Sequence, residues 1–234
     1  MGKIGYGYGS EWHLLRYLGY HRDYLQNSIL QITGGSHIQW LDFPFSTVNQ
    51  TLHHDQEWQG IEFIDDANVQ KKWDVFWPQT GNSPNWDAVG KLLGSNGEEW
   101  LLIEAKAHLE EVHSSCAATH PKSVEMINNA MLASQASFAS KVPTSQWLSP
   151  YYQFCNRLSV LHFLMRECEP PIPAHLVFVY FYGDTNGNQK CPQSGSEWKA
   201  VIQKMYETIG LDIHADLFPR VHQVFLPVNP RIKL

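Results

Sequence analysis

Two apolar strand candidates, Trp86–Leu93 and Glu99–His108, flank Gly94-Ser95-Asn96-Gly97, and this pair constrains the chain more than any other feature. The loop composition is a strong hairpin signal. In the second strand Trp100-Leu101-Leu102-Ile103 is a continuous apolar run, the pattern of a strand buried on both faces. It leads directly into Glu104-Ala105-Lys106. Strand alternation sets Leu101, Ile103, Ala105 and Ala107 on one face and Leu102, Glu104, Lys106 and His108 on the other. A carboxylate and an ammonium thus project side by side from the end of a hydrophobic strand. Each needs the other, a metal ion or water to offset its burial.

Hairpin register brings in a third group. With Gly94–Gly97 as a four-residue loop, Leu93 pairs with Glu98 and Asp87 falls opposite Glu104; with Asn96-Gly97 as the turn, Asp87 falls opposite Lys106. Any even-length loop puts Asp87 on the face of Glu104 and Lys106, whereas an odd loop or a bulge separates them. Two carboxylates that close repel unless positive charge lies between them. Oxygen ligands of this kind suit Mg²⁺ or Mn²⁺.

An Asp, a short hairpin and Glu-x-Lys on a hydrophobic strand resemble the PD-(D/E)XK, or restriction-endonuclease-like, nuclease superfamily. The Pro usual before the Asp is absent; Trp86 stands there, with Pro84 nearby. The resemblance implies an α/β fold whose core is a helix, a three-stranded meander, a helix and a strand. It also implies metal-dependent hydrolysis of phosphodiester bonds in nucleic acid, DNA or RNA. Asp87, Glu104 and the Ala105 carbonyl would be the Mg²⁺ or Mn²⁺ ligands, and Lys106 would act on the attacking water or on phosphate oxygens. Members with this layout often add a first-helix Glu, which points to Glu11, and a polar residue from the helix after the hairpin, which points to Gln153 among Tyr152, Gln153, Asn156 and Arg157. Plain readings stand beside both: a helix-dipole partner for Glu11 and an exposed polar turn for Gln153.

A second Glu-x-Lys triplet, Glu197-Trp198-Lys199, serves as a control. Ser194 three residues before Glu197 forms a capping-box pattern, so that glutamate belongs to a helix N-terminus and not to a site. His113, Cys116 and His120 would share one helical face and could hold Zn²⁺, but coincidence in a chain with 12 His is the stronger reading. His53-His54-Asp55 reads as a surface loop. No P-loop, dinucleotide-binding GxGxxG or GxSxG elbow is present.

The remaining pattern gives a helix from Ser10 to Ile32, with Ser10 as N-cap and Leu15, Leu18, Leu25, Ile29 and Ile32 at helical spacing, ended by Gly34-Gly35. Glu11 falls on the same stripe. Residues 36–72 read as an irregular insertion, with strand-like pieces at His37–Leu41 and Ile61–Ile64, and Trp73–Trp77 as a short apolar run stopped by Pro78. Helical segments follow over Leu109–Ser140, broken near Pro121, and Pro150–Glu167, then a strand at His175–Tyr182, a helix at Ser196–Ile209 and a strand at Val221–Pro227. With no repeat or linker, residues 1–234 read as one nuclease-like domain, with 184–234 as a C-terminal extension. The four cysteines lack a CxxC pair and read as free thiols. No apolar run is long enough to span a membrane, so a soluble, cytoplasmic protein is expected.

Net charge opposes the nucleic-acid reading. At −6, with 17 basic residues scattered, the chain lacks the usual basic footprint. Either metal ions compensate charge locally, or a small patch grips the substrate, with a second copy or an accessory protein assisting. Two other readings stay open: a non-catalytic nuclease-like scaffold, and a two-carboxylate carbohydrate-active enzyme, whose hydrolysis would survive EDTA.

Overall fold

The apolar run around Leu102 becomes the middle of a five-stranded sheet. In chain order the elements of the computed structural model are α1 (Ser10–Tyr20), α2 (Arg22–Thr33), β1 (His37–Trp40), β2 (Trp58–Gln59), α3 (Ala67–Phe76), β3 (Asn85–Trp86), β4 (Ala88–Gly94) and β5 (Gly97–Lys106). There follow α4 (Pro121–Ser137), α5 (Ser145–Leu148), α6 (Tyr152–His162), β6 (Ala174–Tyr182), α7 (Gly195–Ile209) and β7 (Val221–Pro227). The structure describes residues 9–41, 57–81, 83–95, 97–185 and 189–230; His53-His54-Asp55 lies outside them.

Sheet order is β1-β4-β5-β6-β7. The first three strands form an antiparallel meander, and β6 and β7 add in parallel. Gly94 pairs with Gly97 and Leu93 with Glu98, the register of the four-residue loop. Alternation along β5 divides two cores. Leu101, Ile103, Ala105 and Ala107 pack with Val177, Val179 and Phe181 under α1 and α2, through Leu14, Tyr17, Leu25 and Ile29. Leu102, Leu176, Phe178 and Tyr180 face the other layer, with Trp73, Ile127, Met131, Leu158 and Trp198 from α3, α4, α6 and α7. Burial on both faces explains why β5 and β6 read as continuous apolar runs.

Several expectations need correction. The single helix Ser10–Ile32 is two, divided at His21 two residues after Gly19, the poorest helix former other than proline. Ser10 lies inside the first turn, with Gly9 as N-cap. The buried stripe of α1 is Ser10, His13, Leu14, Tyr17 and Leu18, so Leu15, 48% exposed, and Glu11 lie off it. Trp73–Phe76 is the last turn of a helix, with Trp77 as its extended C-cap, and the Asp66 carboxylate caps the start of α3 by accepting from Asn68 and Val69 N–H. Trp73 and Trp77 then stack one turn apart, centroids 5.9 Å apart and 7° between planes. In the segment expected to be irregular, His37–Trp40 is an edge strand of the main sheet, while Ile61–Ile64 is a turn whose Ile61, Phe63 and Ile64 are buried. Residues 113–120 are extended, not helical, which removes the His113/Cys116/His120 face. The segment expected to be an extension completes the sheet through β7 and the second core through α7.

Other readings hold. Gly34 ends α2 at φ 73°, where glycine is strain-free, and Ser194 Oγ accepts from Glu197 N–H at the start of α7. All four cysteines are free. Among the described residues no helix is long and apolar enough to cross a membrane.

Candidate active site

At the C-terminal end of β5 the hairpin comes apart. The β4–β5 ladder stops at Ala88–Ile103, and one residue earlier the chain bends away so that Trp86 pairs with Trp58 in a separate two-stranded sheet. Asp87 occupies the bend. Its N–H still donates to the Ile103 carbonyl at 3.1 Å, and its carboxylate accepts from Ala105 N–H at 2.6 Å. Strand geometry sends the Ala105 carbonyl to the same edge as its N–H, beyond the last ladder pair. The bend does not turn Asp87 to the other layer: Asp87, Glu104 and Lys106 line one cleft of about 990 Å³.

Glu104 is 2% exposed, yet it is ionised. Burial by itself raises its pKa, but Arg157 and Lys106 outweigh that and hold it below the ordinary carboxylate value. Lys106 Nζ donates to Oε1. Arg157, 3% exposed, donates to Oε2 through Nε and Nη2, both at 2.8 Å. Its Nη1 is satisfied by Asn156 Oδ1 at 2.8 Å, and its guanidinium lies 5.2 Å from the Trp86 ring centroid. Asp87 responds in the opposite direction. Desolvation and the Glu104 charge push its pKa well above the usual range, against the pull of Lys106 and the Ala105 N–H.

Helix α6 supplies the next residue. Gln153 Oε1 accepts from Lys106 Nζ at 2.9 Å. Its own N–H donates to Ser114 Oγ at 2.7 Å, so the extended segment before α4 fixes the start of α6. Glu11 reaches the same cleft from α1, as an exposed rim residue. Two lining carboxylates escaped sequence reasoning. Glu57 adds negative potential at Asp87 and lies in a stretch with no periodic pattern. Glu111 accepts from Ala107 N–H, from His108 N–H at 3.3 Å and from Ser10 Oγ at 3.0 Å, tying α1 to the end of β5. The His108-x-x-Glu111 spacing of a capping box was its available signal. Arg157 was visible only as one polar residue of α6, and nothing in its spacing told that it would be buried against Glu104.

Among the described residues no group of three or more His, Cys, Asp or Glu is arranged to hold a metal. The site offers two carboxylates and one carbonyl, and that is the donor set of a hard cation such as Mg²⁺, which retains several waters and takes one or two protein carboxylates. Asp87 is pushed up first by burial and then by the Glu104 charge, and a cation beside it would offset both. Donor chemistry and charge therefore fit. Comparison with protein-family models, characterised proteins and solved structures finds no match.

Proposed function

We propose that this chain is a divalent-metal-dependent phosphodiesterase acting on nucleic acid, built on a restriction-endonuclease-like core. The observation that carries the reading is the convergence of Asp87, Glu104 and Lys106 on one cleft where β4 leaves β5. The order α1, β1-β4-β5 meander, α6, β6 agrees with the core that the resemblance implies, with the long connection between β1 and β4 as its insertion. Asp87, Glu104 and the Ala105 carbonyl would hold Mg²⁺ or Mn²⁺. The bound ion would polarise a phosphoryl oxygen and lower the pKa of its water. Ala105 N–H keeps Asp87 oriented toward the strand edge. Lys106, steadied by Gln153, donates to the attacking water or to developing charge on phosphate oxygens. Glu11, at the rim, meets substrate or cation only if either extends to the mouth of the cleft.

A second reading has its own observation. Both oxygens of Glu104 are engaged, by Lys106 and Arg157, and an acid so neutralised also suits a scaffold that has no chemistry to perform. One experiment separates the two. With Mg²⁺ or Mn²⁺ the purified protein should cut single- or double-stranded DNA or RNA, and EDTA should stop it. Asp87→Asn retains an acceptor for Ala105 N–H but removes the charge a hard cation needs. It should lose Mn²⁺ binding by calorimetry and cleavage by about a hundredfold or more, the usual effect of losing an electrostatic catalytic group. Lys106→Ala should bind Mn²⁺ and cut slowly. Cleavage by Asp87→Asn equal to wild type sinks the enzyme reading, and Mn²⁺ binding without cleavage of any of the four substrates favours the scaffold.

A further inference from the structure

One stretch of the cleft lining carries no carboxylate. Residues 113–127 contribute His113, Thr119, His120 and Ser123 among smaller or apolar groups, while all five lining carboxylates (Glu11, Glu57, Asp87, Glu104, Glu111) come from elsewhere. Helix α4 begins within this stretch. It is 17 residues long, opens on Pro121, and its N-cap residue His120 makes no side-chain hydrogen bond to the first turn. First-turn N–H groups have no intrahelical acceptor. Pro121 has none to offer and Val124 donates to the His120 carbonyl, which leaves Lys122 and Ser123.

Ser123 is the independent observation. It is 8% exposed, lines the cleft, and its hydroxyl has no hydrogen-bond partner among the described residues. The helical serines Ser134 and Ser159 donate back to the carbonyl four residues earlier, at 2.7 and 3.2 Å. Ser123, in the first turn, has no such outlet, because the residue four earlier, Thr119, precedes the helix. The unpaired oxygen opens onto the cleft and is not sealed in the protein, so a ligand oxygen entering there can accept from it. Uncapped N–H groups, the positive end of a long helix and an unused hydroxyl together form an anion site.

We infer that the N-terminus of α4, with Ser123, is a phosphate subsite that holds a phosphate of the substrate other than the one attacked. The identity of that substrate rests on the phosphodiesterase reading; the anion site itself does not. Such a subsite also answers the charge problem. In a chain of net charge −6, neutral N–H and O–H donors grip a phosphate without a cluster of Lys and Arg, from a stretch of the lining that itself contributes no carboxylate.

The test uses the full chain without metal and inorganic phosphate as the probe. Amide NMR should show saturable shifts of the Lys122 and Ser123 N–H signals. Ser123→Asp brings its own carboxylate to the first turn, where it favours the helix. It should weaken phosphate binding about tenfold or more, while circular dichroism matches wild type. Ser123→Ala should weaken it about threefold to tenfold, the loss of one charge-assisted hydrogen bond, and on an oligonucleotide should raise KM more than it lowers kcat. Shifts confined to other amides, or Ser123→Asp binding phosphate as wild type does, overturn the inference. If phosphate binds at Ser123 and no nucleic acid is cut, the subsite stands and the hydrolysis reading falls. If nucleic acid is cut and the Lys122 and Ser123 signals do not move, the reverse holds.

Discussion

Arg157 decides what kind of residue Glu104 is. A carboxylate 2% exposed stays charged only because a bidentate guanidinium and an ammonium face it. Arg157→Ala should therefore cost about 3–5 kcal/mol in urea unfolding at pH 7, the cost of leaving a buried charge half-compensated. Arg157→Lys should recover only part, since an ammonium cannot supply two donors in one plane. The pH dependence has a definite sign. Glu104 has a folded pKa below its ordinary value of 4.5, so its pairing stabilises the fold above about 4.5 and fades as pH falls through the folded pKa. The gap between wild type and Arg157→Ala should narrow below pH 4.5; an unchanged gap would mean that Arg157 acts through packing on Trp86. Asp87 has the opposite sign. Its raised pKa makes the metal-free fold lose stability as pH rises, which Asp87→Asn should relieve with a higher Tm.

At the other end of the strands, elements β5, β6 and β7 meet in a second polar network. His175 on β6 bonds Glu99 on β5 and, at 2.8 Å, His222 on β7, while Arg220 reaches Glu99 at 2.7 Å and His175 at 2.8 Å. Burial, then the charges of His175 and Arg220, lower the His222 pKa from 6.5 to about 4. An unfolded chain takes up that proton below 6.5 while the fold refuses it, so stability falls as pH drops from about 6.5 to about 4. His222→Gln, which can still donate or accept, should flatten this slope. Urea midpoints at pH 7, 5.5 and 4.5 measure it, and equal losses in variant and wild type would show that His222 is not responsible. The element boundaries tell the same story about local rules. Gly34 and the Ser194 cap mark their helix ends because a φ of 73° and a hydroxyl–amide bond are local matters. The break at His21 and the helical Trp73–Phe76 depend on what the chain packs against, and apolar spacing alone does not carry that.

For the molecule as a whole, β5 is the partition between two cores. Leu102 and Ile103 are neighbours in sequence and both fully buried, but they report on different layers. Leu102→Ala and Ile103→Ala should each cost about 2–5 kcal/mol, and each should lower the whole denaturation curve in one step, because the sheet is common to both layers. A biphasic curve in Ile103→Ala, with α1 and α2 melting first, would show that the first layer is only loosely coupled to the sheet. Methyl NMR of the α2 residues Leu25 and Ile29 during urea titration would report that layer directly.

Neighbouring residues alone set the hairpin and the face shared by Glu104 and Lys106, because a period of two and a glycine-flanked turn are local properties; they left two registers open, and the pairing of Leu93 with Glu98 is the one adopted. They also set β6, α7 and β7, whose apolar patterns are long and cleanly bounded. The bend that keeps Asp87 in the cleft while Trp86 leaves for another sheet was decided only by tertiary structure, as were the burial of Arg157 against Glu104, the rim position of Glu11 and the gathering of Glu57 and Glu111. Each of these depends on a contact between residues far apart in the chain, where charge compensation and packing, not local spacing, set which arrangement has the lowest free energy.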